Sequence, residues 1–582
     1  MTQVSPPAAT ARQAPPHSER RRAWLVIVGL LIFVHLSLGV HCAWRFSVTH
    51  DEYWHLPAGL SIWKTGRFDA ENLNPPLSRV WSALPLAALG VSLGEPAEAN
   101  DSTALGDHFL IKNVARYHEY YAYARLMNLV WSVLTGVVIA VWGRELFGEG
   151  GAVVGAALWF LCPVVLSNAV LVTPDLCTAF FFVATTYAAW RFAREPTGRR
   201  AVLVGLLLGL AQLSKFTCIV LYPLVMAEWV LVRCRGGLAP VGWRRASGEW
   251  LAALAVSVLV LNVGYLFRGS GQPLNSYQFA SHSLQSVAAA ARPIGGMWVP
   301  APHDYVAGFD RQRSIMEAVH PVYLDGELMS GGGFRDYYFW ACAYKWPHAI
   351  QALVLTALAS SLLSRAGQRQ WRALAAVLMP AVLMVGIASA SHMQLGIRYI
   401  LPAFPLIYLF AGHVGAWLTR PGWNWRKLWI GACLPALLFG LRYHPHHLAY
   451  FNELSGGPVE GGQHLLDSNI DWGQDLRELH EYLRDQKVEK IGLAYFGMVP
   501  PARLGFDYHL PLSFKQVRAA GALPAGWYAV SVNFVQGRPH TIRDADDKVR
   551  AAGADEFAYF RRLVPVARIG WSINVYHVSD DR

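Results

Sequence analysis

Charged residues are scarce in this sequence. Of its 582 residues, 15% are Asp, Glu, Lys or Arg, whereas 54% are hydrophobic and 13% are aromatic. A soluble globular protein carries about 25% charged residues, and a disordered chain has few aromatic residues, so this composition disfavours both classes. The mean hydropathy of +0.26 favours a membrane protein. The net charge of +11 comes from basic residues in short segments between apolar runs, which is typical of membrane topology, and we expect no nucleic-acid partner.

Cysteine and nucleotide-binding motifs are also scarce. The seven cysteines form no Cys-x-x-Cys pair, and six of them lie in or beside apolar segments. This pattern supports neither a disulfide framework nor a zinc ribbon, and it indicates small buried apolar side chains. No Walker or dinucleotide-binding fingerprint is present, so the substrate would be activated before it reaches this protein.

Eleven apolar runs are predicted to cross a membrane. The first, Trp24–Trp44, follows Arg20–Arg22, and because no small-residue cleavage site comes after it we interpret it as an uncleaved helix. The shorter run Trp81–Leu93 suits an interfacial or re-entrant helix. The remaining ten runs are 124–142, 151–172, 176–193, 201–214, 216–232, 249–267, 347–363, 371–389, 397–419 and 426–443.

The distribution of arginine predicts the orientation and the domains. Every second segment between the apolar runs, counted from the N-terminus, is rich in arginine, and such segments lie on the cytoplasmic side. The N-terminus is therefore predicted in the cytoplasm. Because the number of predicted helices is odd, the tail is predicted outside. The expected order is a disordered cytoplasmic segment 1–22, a membrane module 23–443 and an exoplasmic domain 444–582. The module has large outer loops at 45–123 and 268–346.

The tail is expected to be a small α/β domain, with a helix at Asp475–Gln486 and strands at Ile491–Tyr495, Tyr528–Val532 and Ile573–Val578. The predicted fold class is therefore mainly α: a polytopic membrane protein with a small C-terminal α/β exoplasmic domain.

Five ionisable residues are predicted at the outer ends of helices. Ionisable groups near the hydrocarbon edge are costly unless they are paired or face water, so they point to function. The structural alternatives are a solvated loop start for the two acids after the first helix and snorkelling to headgroups for the two cations. The five residues are Asp51, Glu52, Asp175, Lys215 and Arg398.

Several motifs of this chain, taken in order, resemble those of the GT-C membrane glycosyltransferases, in particular the protein O-mannosyltransferase and aminoarabinose-transferase group. Where that group often has His before two prolines, this chain has Asn74. The motifs are Asp51-Glu52, Asn74-Pro75-Pro76-Leu77, Thr173-Pro174-Asp175, Leu213–Thr217, His320–Glu327, Tyr337-Tyr338-Phe339, Tyr344–Pro347, Arg398–Pro402 and Asp467–Leu476.

The resemblance implies a GT-C fold and transfer of a sugar from a polyprenyl-phosphate donor, with inversion, at the outer face of a bacterial inner membrane. The acceptor would be a protein, a glycan or a lipid. Such a transfer needs a carboxylate as general base and cations at the departing phosphate. The resemblance makes Asp51 the base, although the sequence alone does not rank it above Glu52.

The chemistry of such a transfer gives roles to the other candidates. Glu52 and Asp175 would orient the acceptor or tune Asp51. The lipid phosphate would bind Lys215, Arg398 and Tyr399. Further residues expected to line the site are His55, Asn74, Arg79 and Glu327.

Two alternatives stay open at this point. A transporter or flippase for a lipid-linked or anionic solute would place ionisable residues near mid-membrane, whereas here they lie at helix ends.

We expect no cofactor and no metal. The alternative is a divalent ion at His444-Pro445-His446-His447, since imidazoles are metal ligands, although Pro445 distorts their spacing.

Overall fold

A computed structural model describes residues 17–95, 97–233, 242–419, 421–422 and 424–579. Residues 1–16 of the predicted disordered segment lie outside these ranges, as do Cys234, Arg235 and Arg420.

The first helix begins earlier than predicted. It starts at His17, so the end of the segment 1–22, predicted to be disordered, is helical. Glu19 and Arg20–Arg22 are good helix formers, and they extend the apolar helix that follows them.

Helices dominate the N-terminal half. Its long fifth helix contains non-helical backbone at Gly148 (φ 77°, ψ −170°), which divides it into two arms that match the predicted runs 124–142 and 151–172. The helices are α1 (His17–Arg45), α2 (Glu52–Thr65), α3 (Leu77–Ala88), α4 (Ser102–Asn113), α5 (Tyr117–Phe160), α6 (Pro163–Ala169), α7 (Asp175–Arg194), α8 (Gly198–Ser214), α9 (Leu221–Arg233) and α10 (Trp243–Gly264).

The second half combines further apolar helices with short helices of the segments between and after them. Three 3₁₀ segments, Ile397–Ala403, Gly412–Trp417 and Leu437–Tyr443, extend α16 and α17. The helices are α11 (His282–Ala290), α12 (His303–Glu317), α13 (Tyr337–Lys345), α14 (His348–Leu363), α15 (Arg365–Ser389), α16 (Phe404–Ala411), α17 (Trp425–Ala436), α18 (Gly457–His464), α19 (Leu476–Asp485), α20 (Phe514–Ala520) and α21 (Val532–Val535).

The membrane character predicted from composition is confirmed. Among the described residues, 6 helices are long and apolar enough to cross a membrane. Two shorter apolar helices, His348–Leu363 and Ala373–Ser389, coincide with predicted spans. All the predicted runs fall largely on helical segments, although the number of crossings, eleven, stays a prediction.

The strands lie outside the apolar helices. A hairpin of β1 (Pro321–Leu324) and β2 (Glu327–Ser330) turns at Asp325-Gly326, both with positive φ. The C-terminal sheet has the order β4-β3-β5-β9-β8, parallel at β4-β3-β5 and antiparallel at β5-β9-β8, and β6 pairs with β7. These strands are β3 (Lys490–Ala494), β4 (Asp507–His509), β5 (Gly526–Ser531), β6 (His540–Arg543), β7 (Val549–Ala552), β8 (Ala567–Ile569) and β9 (Ile573–Val578).

The predicted fold class is thereby confirmed, with the helix α19 and the strands β3, β5 and β9 at the predicted places. One hydrophobic cluster joins the sheet to one end of the apolar helices. Phe46 after α1, Leu129 on α5 and Leu171 before α7 share it with Trp472 and Tyr528 of the tail. The tail domain is therefore packed directly on the helix ends that carry the predicted site.

The packing of α5 against the 3₁₀ segment Gly412–Trp417 gives a first prediction. A Cβ added at Gly150 would lie 2.0 Å from the carbonyl oxygen of Gly415. Gly150→Ala should therefore destabilise the fold by about 1–3 kcal/mol, the cost of overpacking, and lower the unfolding temperature in detergent. Gly386→Ala is the matched control, because a Cβ there meets nothing within 4 Å. Equal unfolding temperatures for the two variants would contradict the packing.

Candidate active site

A buried ion pair connects the ends of three helices. Arg125 on α5 is completely buried, and its Nε and Nη2 donate to the Glu52 Oε1 and Oε2 at 2.8 and 2.6 Å. Such a bidentate pair is geometrically specific. The other N–H groups of Arg125 donate to carbonyls at and after the end of α1, those of Ala43, Phe46 and Ser47. Arg125 thus caps α1 and fixes α2 at the same time.

The Glu52 carboxylate has further partners on both oxygens. Its Oε2 accepts from the backbone N–H and the hydroxyl of Thr49, and its Oε1 accepts from the N–H of Val172 at 2.9 Å. The side chain is fully buried. With its side chain buried and its acceptor capacity used by these donors, Glu52 has no oxygen left for an acceptor, which speaks against the predicted acceptor-orienting role; the other predicted role, tuning Asp51, stays a prediction. Glu52 positions its neighbours instead.

Four charged side chains from four elements meet beside this ion pair. Arg398 Nη1 lies 3.0 Å from Asp51 Oδ2 and 3.5 Å from Asp175 Oδ2. Lys215 Nζ lies 2.6 Å from Asp175 Oδ1. Asp51 precedes α2, Asp175 begins α7, Lys215 follows α8, and Arg398 belongs to the 3₁₀ segment before α16. The structure therefore brings together four of the five ionisable residues predicted at helix ends.

The Tyr399 ring contacts both cations. Lys215 Nζ and the Arg398 guanidinium carbon are each 5.2 Å from the centre of its ring. Cations at this distance from an aromatic face are attracted by it. The ring therefore helps to hold both cations next to Asp175.

Residues of the tail contact Arg398 and its neighbour Ile397. The Arg398 guanidinium stacks 4.0 Å from the Trp472 ring, and its Nε donates to the Ser468 hydroxyl at 3.2 Å. The Asn469 side-chain oxygen accepts from the N–H of Ile397 at 3.0 Å. The motif Asp467–Leu476 thus orients the guanidinium toward the two carboxylates.

A cavity of about 250 Å³ opens beside the cluster. Asp51 and Arg398 line one side, and Arg538 and His540 of the tail line another. Arg538 pairs with Asp467 at 2.5 Å, so the cavity has a second buried guanidinium. A larger cavity of about 570 Å³ lies elsewhere, lined by residues that include Tyr323, His464 and Arg561. The smaller cavity is the candidate active site, because it touches the charged cluster.

The charge state of Asp51 follows from its neighbours. Burial raises the pKa of its carboxyl, but the Arg398 guanidinium, together with His50 and His55, lowers it by more, so the pKa lies well below its usual range. Asp51 is therefore ionised at neutral pH and able to accept a proton. While Arg398 neutralises it, however, it is a weak base.

The other predicted lining residues lie in a different place. His55 and Arg79 are buried around Glu71, with His55 Nδ1 3.7 Å from Glu71 Oε2 and Arg79 in a salt bridge to the same oxygen. Arg79 also donates to the backbone carbonyl of Asn74. His55, Arg79 and Asn74 thus stabilise the loop between α2 and α3. Glu327 is exposed on β2. The structure thus corrects their predicted place in the lining of the site.

Sequence reasoning missed several residues of the site. Arg125 carried a signal, because an arginine inside a predicted span points to function. Trp472 and Ser468 lay in a recognised motif but had no assigned role. Arg538 and His540 follow α21 in a segment without a chemical motif, so only the fold brings them to the cavity.

Comparison with known proteins adds to this geometry. Residues 118–265, which contain Arg125, Asp175 and Lys215, match the family model for dolichyl-phosphate-mannose-protein mannosyltransferase. The match confirms the resemblance seen in the sequence over that segment. No curated protein matches the chain.

Two solved structures are similar over most of the chain. One is ArnT from Cupriavidus metallidurans bound to undecaprenyl phosphate, with 13% identity, 97% of this chain and 99% of that chain covered, and a TM-score of 0.48. The other is the oligosaccharyltransferase AglB from Archaeoglobus fulgidus in complex with an inhibitory peptide and a dolichol-phosphate. It has 11% identity, a coverage of 92% of this chain and 74% of that chain, and a TM-score of 0.46.

The different places of the two adjacent acids give a second prediction. Glu52→Gln should destabilise the protein by about 3–5 kcal/mol, because it leaves the Arg125 charge buried without its partner. Asp51→Asn should cost much less, since Asp51 is partly exposed and Arg398 keeps Asp175. Thermal unfolding of both variants in detergent measures the difference. An Asp51→Asn protein that is less stable than Glu52→Gln would contradict the assignment.

A third prediction concerns Asp471 in the supporting motif. Burial raises the pKa of its carboxyl from 3.8 to about 8, although it accepts from the N–H of Gly473 and the hydroxyl of Ser531. The unfolded chain releases this proton near its ordinary pKa and the folded chain only near pH 8, so Asp471 makes stability fall as the pH rises between these values.

Asp471→Asn should therefore flatten the decline of unfolding temperature from acidic pH to about pH 8 and should be more stable than the wild type at the upper end. Asp507→Asn, at an exposed carboxylate on β4, is the control and should leave the profile unchanged. Parallel profiles for Asp471→Asn and the wild type would show that Asp471 is ionised in the folded state.

Proposed function

We propose that this chain is an integral-membrane glycosyltransferase that moves a sugar from a polyprenyl-phosphate donor to an acceptor at the outer face of the membrane, with inversion at the sugar C1. The observation that carries the proposal is the cluster of Asp51, Asp175, Lys215 and Arg398 beside a cavity at the outer ends of apolar helices. The family match over residues 118–265 supports the same class of enzyme.

The two cations suit the departing lipid phosphate. As the bond from C1 to the phosphate oxygen breaks, its electron pair goes to that oxygen and negative charge develops there. Arg398 can bind a phosphate through two N–H groups, whereas Lys215 acts as a point charge. Because both are already held in place by Asp175 and Tyr399, little reorganisation is needed as the charge develops.

Asp51 is the group that would take the proton of the acceptor hydroxyl or amine as that atom bonds to C1. When the phosphate binds, it shares the positive charge of Arg398, so the Arg398 effect that lowers the pKa of Asp51 weakens. Binding of the donor therefore makes Asp51 a stronger base. Asp175 stays paired with Lys215 and positions it.

The membrane and the acceptor belong to the same proposal. A donor with its polyprenyl tail in lipid and its head in water suits a site at the ends of membrane helices. We assign the site to the outer face of a bacterial inner membrane. The tail domain forms one wall of the cavity through Arg538 and His540, so it contributes to the choice among protein, glycan and lipid acceptors.

One observation favours the transporter alternative. Glu228 on α9 is buried, and among the described residues neither of its carboxylate oxygens has a hydrogen-bond partner. Ionisable residues inside membrane spans mark ion pathways in transporters. Glu228 lies inside α9 and does not line the candidate cavity, so its substitution is a means of separating the two functions.

The fourth prediction tests the enzyme directly. The protein is placed in nanodiscs and given a panel of polyprenyl-phosphate sugars and acceptors. It should release polyprenyl phosphate, and mass spectrometry measures this release. Asp51→Asn should lower the rate about 10²–10⁴-fold, the usual contribution of a general base, and Arg398→Ala should lower it as well. Asp507→Asn and Glu228→Gln are controls that should keep the wild-type rate.

Two outcomes would contradict the proposal. Full donor-dependent release by a folded Asp51→Asn protein would remove Asp51 as base. Saturable donor binding without turnover in the wild type, together with loss of lipid movement in Glu228→Gln, would favour the transporter.

A further inference from the structure

A cluster of sulfur and imidazole donors lies at the outer end of α1, apart from the charged cluster. Cys42 Sγ lies 3.8 Å from His444 Nδ1, and His444 Nδ1 lies 3.0 Å from His447 Nε2. The three donor atoms all lie within 4.8 Å of one another. Cys42 and His447 are fully buried, whereas His444 is half-buried.

The distances match the edges of a tetrahedral metal site. Zinc binds Cys sulfur at about 2.3 Å and His nitrogen at about 2.0–2.1 Å, which at tetrahedral angles gives sulfur–nitrogen edges of about 3.5 Å and nitrogen–nitrogen edges of about 3.3 Å. The observed 3.8 and 3.0 Å lie close to these values. The third pair of donor atoms, on Cys42 and His447, lies within 4.8 Å, so an approach along that edge would place all three atoms around one ion.

A second residue supports the ligand geometry. His41 Nδ1 lies 2.6 Å from His444 Nε2, the ring nitrogen that faces away from Cys42. Metal-bound histidines usually donate from their other nitrogen, which fixes the tautomer and the ring orientation. His41 is therefore the residue that would orient the His444 ring.

We propose that Cys42, His444 and His447 form a zinc site that joins the outer end of α1 to the segment entering the tail domain, with His41 orienting His444. A thiolate and two imidazoles select zinc over magnesium or calcium, which prefer oxygen ligands. Three protein ligands leave a fourth position for water on the half-buried side of His444. Binding releases the thiol proton of Cys42 to solvent.

The site would crosslink two parts of the chain that are distant in sequence. Cys42 belongs to α1, the helix that leads to Asp51, and His444–His447 follow the last apolar helix. Its role goes beyond the proposed glycosyl transfer, because none of the three ligands lines the candidate active-site cavity. An ion that binds only the folded state stabilises it in proportion to the logarithm of the zinc concentration.

An adjacent group of donors has a different geometry. His446 Nδ1 and Nε2 lie 3.4 and 3.5 Å from Asp475 Oδ1 and Glu478 Oε2, and Arg45 lies 3.7 Å from Glu478. Both ring nitrogens already face carboxylates on opposite sides. This arrangement is a charge network, and it provides the control for the zinc experiment.

The fifth prediction is tested on the full-length protein in detergent, stripped with a chelator and then titrated with Zn²⁺ alone. Elemental analysis after desalting should find one zinc per chain, and zinc should raise the unfolding temperature. Cys42→Ser and His447→Gln should weaken zinc binding at least tenfold, and His41→Ala should weaken it about 10–100-fold, the usual range for a group that orients a ligand. Cys433→Ser and Glu478→Gln should bind as the wild type does.

Replacement of zinc by Co²⁺ gives a second readout, the absorption spectrum of the bound metal. In the wild type it reports the ligands directly and does not depend on the stability of a variant. The wild type and Cys433→Ser should show a thiolate-to-cobalt charge-transfer band, and Cys42→Ser should lack it. A wild type without this band, or a loss of zinc in Glu478→Gln but not in Cys42→Ser, would overturn the proposal and leave a hydrogen-bonded histidine cluster only.

Discussion

The buried pair of Arg125 and Glu52 is the interaction on which the candidate site depends. Arg125 binds the end of α1 through three carbonyls and the start of α2 through Glu52, and Glu52 binds the N–H of Val172. Asp51 adjoins Glu52, and Asp175 follows Val172 after three residues. One ion pair thereby fixes two loops that are distant in sequence. Because a broken buried pair leaves an uncompensated charge, these loops can hardly separate without unfolding.

Next to this ion pair, the balance between the two cations and the two carboxylates of the charged cluster determines which ligands can bind. In the structure, Arg398 contacts both Asp51 and Asp175, and Lys215 contacts Asp175. An anion that takes over Arg398 would release Asp51 from its strongest partner. Recognition of phosphate and activation of the base are then one event, which suits an enzyme that should take a proton from the acceptor only when the donor is present.

How far the sequence could predict this arrangement depended on the kind of signal. Apolar runs gave the helices, since hydrophobic length is visible in a sequence, and charges at their outer ends gave Asp51, Asp175, Lys215 and Arg398. The difference between Asp51 and Glu52 was not visible, because it depends on which neighbour Arg125 reaches across 73 residues. Arg538 was missed for a similar reason: only the tail fold carries it to the cavity.

The most direct test of the central claim is the affinity for polyprenyl phosphate without a sugar, measured by native mass spectrometry in nanodiscs of neutral lipid. The account predicts saturable binding to the wild type, weakened at least tenfold in Arg398→Gln and in Lys215→Gln. It also predicts a double variant that loses less than the sum of the two free-energy changes, since both cations hold one phosphate. Equal affinity of the wild type and both single variants would contradict the assignment of this cluster as the phosphate site.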